Sequence, residues 1–218
     1  MTFNDPAKNV MLDALDESLA VGIDFIGIFT ASDPGTGTNF TGTEATGGAP
    51  AYARQGVVWA AAASGQKTNT GTMTFDVPAG TYAFWGLFNA VTGNTNNYLG
   101  YIPFGSAVKT FGTVDAADVT ANSITASAHG LVNTDRVIVY NVFAESLPAG
   151  LTEGVLYFVV GATTDTFQVS LTSGGAAVDI TAIGELFAQK VIPEVFGAQG
   201  QITVAASALV MDLQGIAS

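Results

Sequence analysis

Side chains suited to acid-base, nucleophilic or metal chemistry are few in this sequence and lie far apart. Histidine occurs once, as His129 in Ala128-His129-Gly130-Leu131, and cysteine does not occur. A hydroxyl or thiol nucleophile needs an adjacent base, and neither a second imidazole nor a Gly-x-Ser-x-Gly elbow is there to partner His129. The glycine that follows it is turn chemistry, so His129 is expected to hold a turn. The 18 Asp and Glu could meet in space as a glycosidase-type pair. They are scattered through turns and the N-terminal segment, however, where solvated carboxylates belong. Asp115 and Asp118 lack the spacing and the glycine of a calcium loop, which leaves only a Ca²⁺ held by backbone carbonyls and Asp side chains of a loop as an open alternative. No cluster of His and Cys offers zinc ligands. The chain is therefore expected to have no catalytic, cofactor or metal site, and not to be an enzyme.

The glycine-rich run from Gly35 to Gly48 does not follow a strand and open a helix as a phosphate cradle would, so it is expected to be a surface loop. Asn39-Phe40-Thr41 matches a glycosylation sequon, but no secretion signal accompanies it. Tyr82, Trp85, Tyr98 and Tyr101 lie close together on predicted strands. Exposed, they would suit sugar rings; buried, they would be ordinary sandwich core, which is the expectation preferred here.

Charge narrows the partners further. Six Lys and Arg against 18 acids give a net charge of −12. Those cations are Lys8, Arg54, Lys67, Lys109, Arg136 and Lys190, too thinly spread for the phosphate neutralisation that drives nucleic-acid binding. Nucleic acid is excluded as a partner, and an anionic membrane is disfavoured by the same sign. No apolar stretch nears the roughly 20 residues of a membrane span, and Met1-Thr2-Phe3-Asn4-Asp5 lacks a signal-peptide plan. A soluble product made in the cytoplasm is expected. Charged residues are 11% of the chain against about 25% in ordinary proteins, so the surface must be covered by Thr, Ser, Asn, Gln, Gly and Ala.

The elements that would position these residues begin with a short amphipathic helix. Asp5 can cap it, Pro6 suits its first position, and Val10, Met11, Ala14, Leu15 and Leu19 share one face. That stripe either packs on its own domain or docks on a neighbouring subunit. From Val21 the pattern changes to short strands. Ile23 to Thr30 is rich in β-branched and aromatic residues, and the Gly35–Pro50 loop that follows is a candidate contact arm. Val57-Val58-Trp59 centres the next run, ahead of a hairpin tip at Ser64-Gly65-Gln66-Lys67. Met73, Phe75 and Val77 alternate with Thr72, Thr74 and Asp76 as in a half-buried strand. Tyr82 to Phe88 hardly alternates and predicts a central strand, and Tyr98 to Ile102 predicts another.

Strands spaced this way with Gly and Asn turns predict a mainly β chain whose first domain is an antiparallel, jelly-roll-like sandwich. A second set of strands follows, at Ser123–Ala126, Arg136–Tyr140, Val155–Val160 and Thr166–Leu171, enough for a small β-barrel-like domain. The pattern of the first domain returns after it. The organisation predicted is residues 1–112 plus 195–218 as the sandwich with its N-terminal helix, and residues 113–194 as an inserted barrel-like domain.

Several of these runs resemble a known family. Thr30-Ala31-Ser32-Asp33-Pro34-Gly35, Gly48-Ala49-Pro50-Ala51-Tyr52-Ala53-Arg54-Gln55, Thr74 to Thr81, Trp85-Gly86-Leu87-Phe88 and Glu194 to Gly200 look like a β domain of minor tail or head-decoration proteins of tailed phages of actinobacteria. Ile124 to Leu131, Asp135-Arg136-Val137, Leu147 to Leu151, Tyr157 to Val160 and Thr166 to Ser170 are similar to a small β module recurring in phage tail and fibre proteins. The resemblance implies a non-enzymatic structural protein on the exterior of the virion, in head or tail. Its partners would be copies of itself and other virion proteins, such as the major capsid or tail proteins. The contacts expected are Val10, Met11 and Leu15 of the helix and Asn39 and Phe40 of the loop. A tail adhesin module that binds host cell-wall glycan is the alternative.

Overall fold

Short β-branched and aromatic runs cut by Gly, Asn and Ser turns favour strands over helices. The computed structural model of the chain is accordingly mainly β, built of antiparallel sheets and a closed six-stranded barrel. It describes residues 22–31, 34–35, 37–105, 109–142 and 146–212. The predicted N-terminal helix, with Val10, Met11 and Leu15, lies outside the described residues.

Two compact units are present. One takes in Pro34–Ile102 with the stretches that end at Thr30 and begin at Val195; the other is Pro103–Glu194. In the first, β1 (Phe25–Thr30), β2 (Gln55–Gly56), β5 (Gly80–Phe88), β6 (Tyr98–Pro103) and a later strand, Glu194–Phe196, make one five-stranded sheet. The strand β5 is central, with β1 along one edge and both β6 and the Glu194–Phe196 strand on the other. Its neighbour β1 buries Ile26, Ile28 and Phe29 completely. Two ribbons complete the unit. The predicted alternating strand is β4 (Met73–Val77), which buries Met73, Phe75 and Val77 and pairs with the strand Gly200–Val204. The second ribbon pairs β3 (Gln66–Thr68) with the strand Val210–Asp212.

Two details differ from the sequence-based expectation. The hairpin tip is only Ser64-Gly65, with φ of 51° and 74°, the paired positive φ of a two-residue hairpin turn. Gln66 and Lys67 therefore belong to β3, and Lys67 is buried rather than at a polar tip. The run around Val57-Val58-Trp59 forms no long strand, and Val58 is 68% exposed. Its backbone pairs loosely instead, Ala60 N–H with Thr68 C=O and Thr70 N–H with Val58 C=O. Beside it, the buried Asn69 carboxamide donates to the carbonyls of Gly71 and Ala205 and accepts from Leu209 N–H. One short side chain thus fastens the chain near residues 205–209 to the end of β3.

The second unit contains β7 (Lys109–Val114), α1 (Ala116–Ala121), β8 (Ile124–Thr125), β9 (Arg136–Tyr140), β10 (Leu156–Val160), β11 (Thr166–Ser170) and β12 (Gly184–Val191). The barrel runs β10-β11-β8-β7-β12-β9 and closes where β9 pairs with β10. Closure removes the open strand edges that would otherwise template aggregation. Alternate residues point inward, so Val137 and Val139, Tyr157 and Val159, Phe167 and Val169, and Leu186 and Ala188 share one core with Ile124 and Ile180. The boundary expected after residue 112 falls inside β7, whose six residues all pair with β12. The second unit starts at Pro103, upstream of that boundary, because β7 is a barrel strand.

Between β7 and β8, Asp115 caps α1 by accepting from the N–H groups of Ala117 and Asp118, while the Asp118 carboxylate accepts from Asp115 N–H. This reciprocal box satisfies backbone donors left open at a helix start. The buried Asp118 also accepts from the hydroxyls of Ser123 and Thr125, tying the helix to β8.

Candidate functional site

The Gly- and Thr-rich loop following β1 has three residues that could anchor it, Phe40, Glu44 and Ala45, and each turns toward the sheet. Near its end β1 lacks a full neighbouring strand. It pairs with β2 at Phe25 and Ile26, and with the loop by a bridge from Phe29 to Glu44, flanked by Thr30 N–H to Thr43 C=O and Ala45 N–H to Ile28 C=O. The gap between them leaves the N–H of fully buried Ile28 facing the Tyr52 hydroxyl, to which it donates at 2.8 Å. A phenol thus takes the place of a ladder carbonyl.

Tyr52 in turn donates to Glu44 Oε1 at 2.9 Å. The same carboxylate receives Arg54 Nε at 2.8 Å and its terminal nitrogen at 2.7 Å, a two-pronged ion pair. Arg54 spends further N–H groups on the carbonyls of Ala90 and Gly93, and its guanidinium lies 3.4 Å from the centroid of the Phe88 ring. With side-chain exposures of 4% for Arg54 and 14% for Glu44, the pair is screened from water. Such a pair holds only if further hydrogen bonds offset its desolvation, and here the Ala90 and Gly93 carbonyls supply them. Gly27 makes the close approach feasible. A Cβ at that position would stand 2.8 Å from the Phe88 ring and 2.9 Å from Glu44 Oε1. Burial first, and then the Glu44 charge, raise the Tyr52 phenol beyond the ordinary tyrosine range.

Asn94 repeats the device further along the loop. Its carboxamide accepts from Phe40 N–H at 2.7 Å and donates to Phe40 C=O at 3.0 Å, in the manner of a strand bridge. The Phe40 ring packs edge-on against Phe29, Phe88 and Tyr98, with centroids 5.0 to 6.0 Å away. Asn39 stays exposed, its side-chain oxygen accepting from Asn96 N–H. At the far end of the loop, Gln199 brackets Ala49 N–H and Pro50 C=O. The loop is therefore tethered to the sheet at several points while most of its Thr and Gly remain at the surface. Above the clamp lies an open cleft of about 300 Å³, lined by Glu44, Tyr52, Arg54 and Val91 among others. The Glu44, Tyr52 and Arg54 side chains in its lining are engaged with one another, so the clamp holds structure.

The other residues singled out in the sequence do not converge. His129 sits in the β8–β9 loop, Asp115 and Asp118 belong to the helix cap, and among the described residues no group of three or more His, Asp or Glu is placed to hold a metal. Tyr82 and Tyr98 are buried, with their hydroxyls donating to Pro78 C=O and Gly35 C=O, so they cannot serve a sugar; Trp85 and Tyr101 are half-buried. Glu44, Tyr52 and Arg54 were not foreseen. Their signal was a solitary acid in a neutral Thr/Gly run and one of only six Lys and Arg just after it, since an isolated charge in such a setting needs a specific partner.

Fold and clamp together define a mainly antiparallel β protein whose buried polar groups fix loops. Set against family models, curated proteins and solved structures, the chain finds no match.

Replacing Glu44 with Ala leaves Arg54 buried without its counter-charge, and urea unfolding should show about 3 kcal/mol less stability; a loss below about 0.5 kcal/mol would mean that the pair does not hold the loop. Alkali should act through Tyr52. Above about pH 10 the unfolded chain loses that phenolic proton while the fold retains it, so stability should fall by about 1.4 kcal/mol per pH unit from this group. Tyr52→Phe starts less stable at neutral pH but should show a shallower alkaline decline, and equal slopes for the two proteins would refute the assignment.

Proposed function

We propose that the chain is a non-enzymatic structural protein of a tailed bacteriophage virion, carried on the particle exterior as a head-decoration or minor tail protein. It acts through symmetric contacts with its own copies and with major capsid or tail proteins. The observation that carries this reading is the tethered loop of residues 37–51. Its outer face is Thr, Asn, Gly and Ala, exposed and nearly free of charge, yet its backbone is pinned by Asn94, Glu44, Arg54 and Gln199. A surface ordered before contact loses little conformational entropy on docking, and short side chains lose less than Lys or Glu would. The net charge of −12 keeps free subunits soluble.

For the first unit we favour a sandwich of jelly-roll type. In support, the Phe75 ring of the β4 ribbon packs on Trp85 of the central strand, with centroids 5.8 Å apart. Tyr82, near the start of β5, donates back to the carbonyl of Pro78 four residues upstream, the tyrosine corner of Greek-key sandwiches.

A second reading, binding of host cell-wall glycan, draws on the outer face of the barrel. There Phe111, 46% exposed, packs edge-on against Phe187 on the neighbouring strand at 5.8 Å, with Thr113 and Glu185 opposite each other one step along. Aromatic faces edged by polar groups suit sugar rings.

Light scattering of the purified protein together with cryo-imaging of virions tests the first reading: copies at fixed symmetric positions on the particle are expected, and a monomer absent from virions would end it. For the second, a pull-down on purified cell walls should lose binding roughly tenfold with Phe111→Ala, about 1.4 kcal/mol; wall binding that is absent, or indifferent to that change, excludes it.

A further inference from the structure

We infer that His129 is an acid-responsive latch for the loop between β8 and β9. The loop turns tightly around it, with Ala128 and Gly130 on either side at φ of 49° and 66°. Leu131 N–H donates to His129 Nδ1 at 2.9 Å, and Nε2 lies 3.2 Å from Thr166 C=O. A backbone N–H can only donate and a carbonyl can only accept. The geometry therefore requires the neutral ring with its proton on Nε2. The imidazole also packs edge-on against fully buried Phe167, with centroids 5.1 Å apart. Leu131, whose backbone it holds, contributes its side chain to the barrel core.

Protonation changes Nδ1 from acceptor to donor. The bond to Thr166 survives, whereas two N–H groups then face each other at Leu131, so the turn has to reopen. The charged groups around the loop leave this conflict in place. Asp165, on the β10–β11 turn, accepts from Ala128 N–H and from the Ser127 hydroxyl, which puts a carboxylate beside the turn. Asp135 accepts from Val132 N–H and from Lys190 of β12 at 2.7 Å. Asp165 is engaged with Ala128 and Ser127 and supplies no acceptor at the place where Leu131 N–H points. The conflict is one of donor geometry, and the response is local to residues 128–132.

A single histidine makes the test unambiguous. Imidazole nitrogen NMR of the intact chain at about pH 8 should show the proton on Nε2; at about pH 5, Leu131 amide exchange, corrected for its intrinsic pH dependence, should rise roughly tenfold relative to the amides of β12. His129→Asn places a carboxamide oxygen near the position of Nδ1, as in an Asx turn, and should keep Leu131 protected at both pH values. The proton found on Nδ1 at high pH, or unchanged Leu131 protection at low pH, would overturn the proposal. An equal acid response in His129→Asn would overturn it too, by assigning the response to Asp165 or Asp135.

Discussion

A guanidinium removed from water must find acceptors for its N–H groups, and the first unit is arranged around how Arg54 finds them. They come from a loop carboxylate, Glu44, and from the carbonyls of Ala90 and Gly93 in the turn after β5, with the Phe88 ring beneath. Leaving such a cation unmatched would cost several kcal/mol, a large fraction of what a domain has to spare. The loop, the turn and the sheet edge are thereby held in one relative placement. Tyr52 extends the clamp into the sheet by completing the pairing of Ile28.

The barrel applies the same principle with different groups. Its interior is a conventional apolar core, but its connections are set by short polar side chains meeting backbone. Asp115 and Asp118 start the helix, Asn122 at its end accepts from Ile180 N–H, Asp165 holds Ala128 N–H, and His129 holds Leu131. Because each such contact supplies a partner that a turn would otherwise take from water, the loops are ordered despite compositions of Ser, Thr, Asn and Gly. In both units polar residues that would be candidates for chemistry are committed to backbone geometry.

Legibility in the sequence followed the kind of signal. The alternation of β4, the unbroken apolar run of β5 and the strands β9, β10 and β11 were readable, because period and β-branching report directly on burial. β7 and β12 were missed: the first mixes Lys, Thr, Phe and Gly, the second Glu, Gln and Lys with apolar residues, and their pairing across some 70 intervening residues leaves no local mark. Helix α1 was passed over because Asp115 and Asp118 were weighed as calcium ligands, although an acid three residues after an Asp is also a capping signature. Phe40 stood out only as an assembly contact; that its half-buried ring packs edge-on against Phe29, Phe88 and Tyr98 of β1, β5 and β6 left no local mark.

By itself the sequence determined the mainly β class of fold, the scarcity of charged residues and the acidic net charge of −12, all of which depend on composition and local periodicity. Only the tertiary structure decided which strands close the barrel and which charges are buried. It also decided that a loop with the composition of a free arm is fastened at Phe40, Glu44 and Pro50. The reason is the range of the forces involved. Hydrophobic period and turn propensity act over a few residues, whereas an ion pair or a side-chain bridge to backbone exists only once distant segments have been brought within about 3 Å.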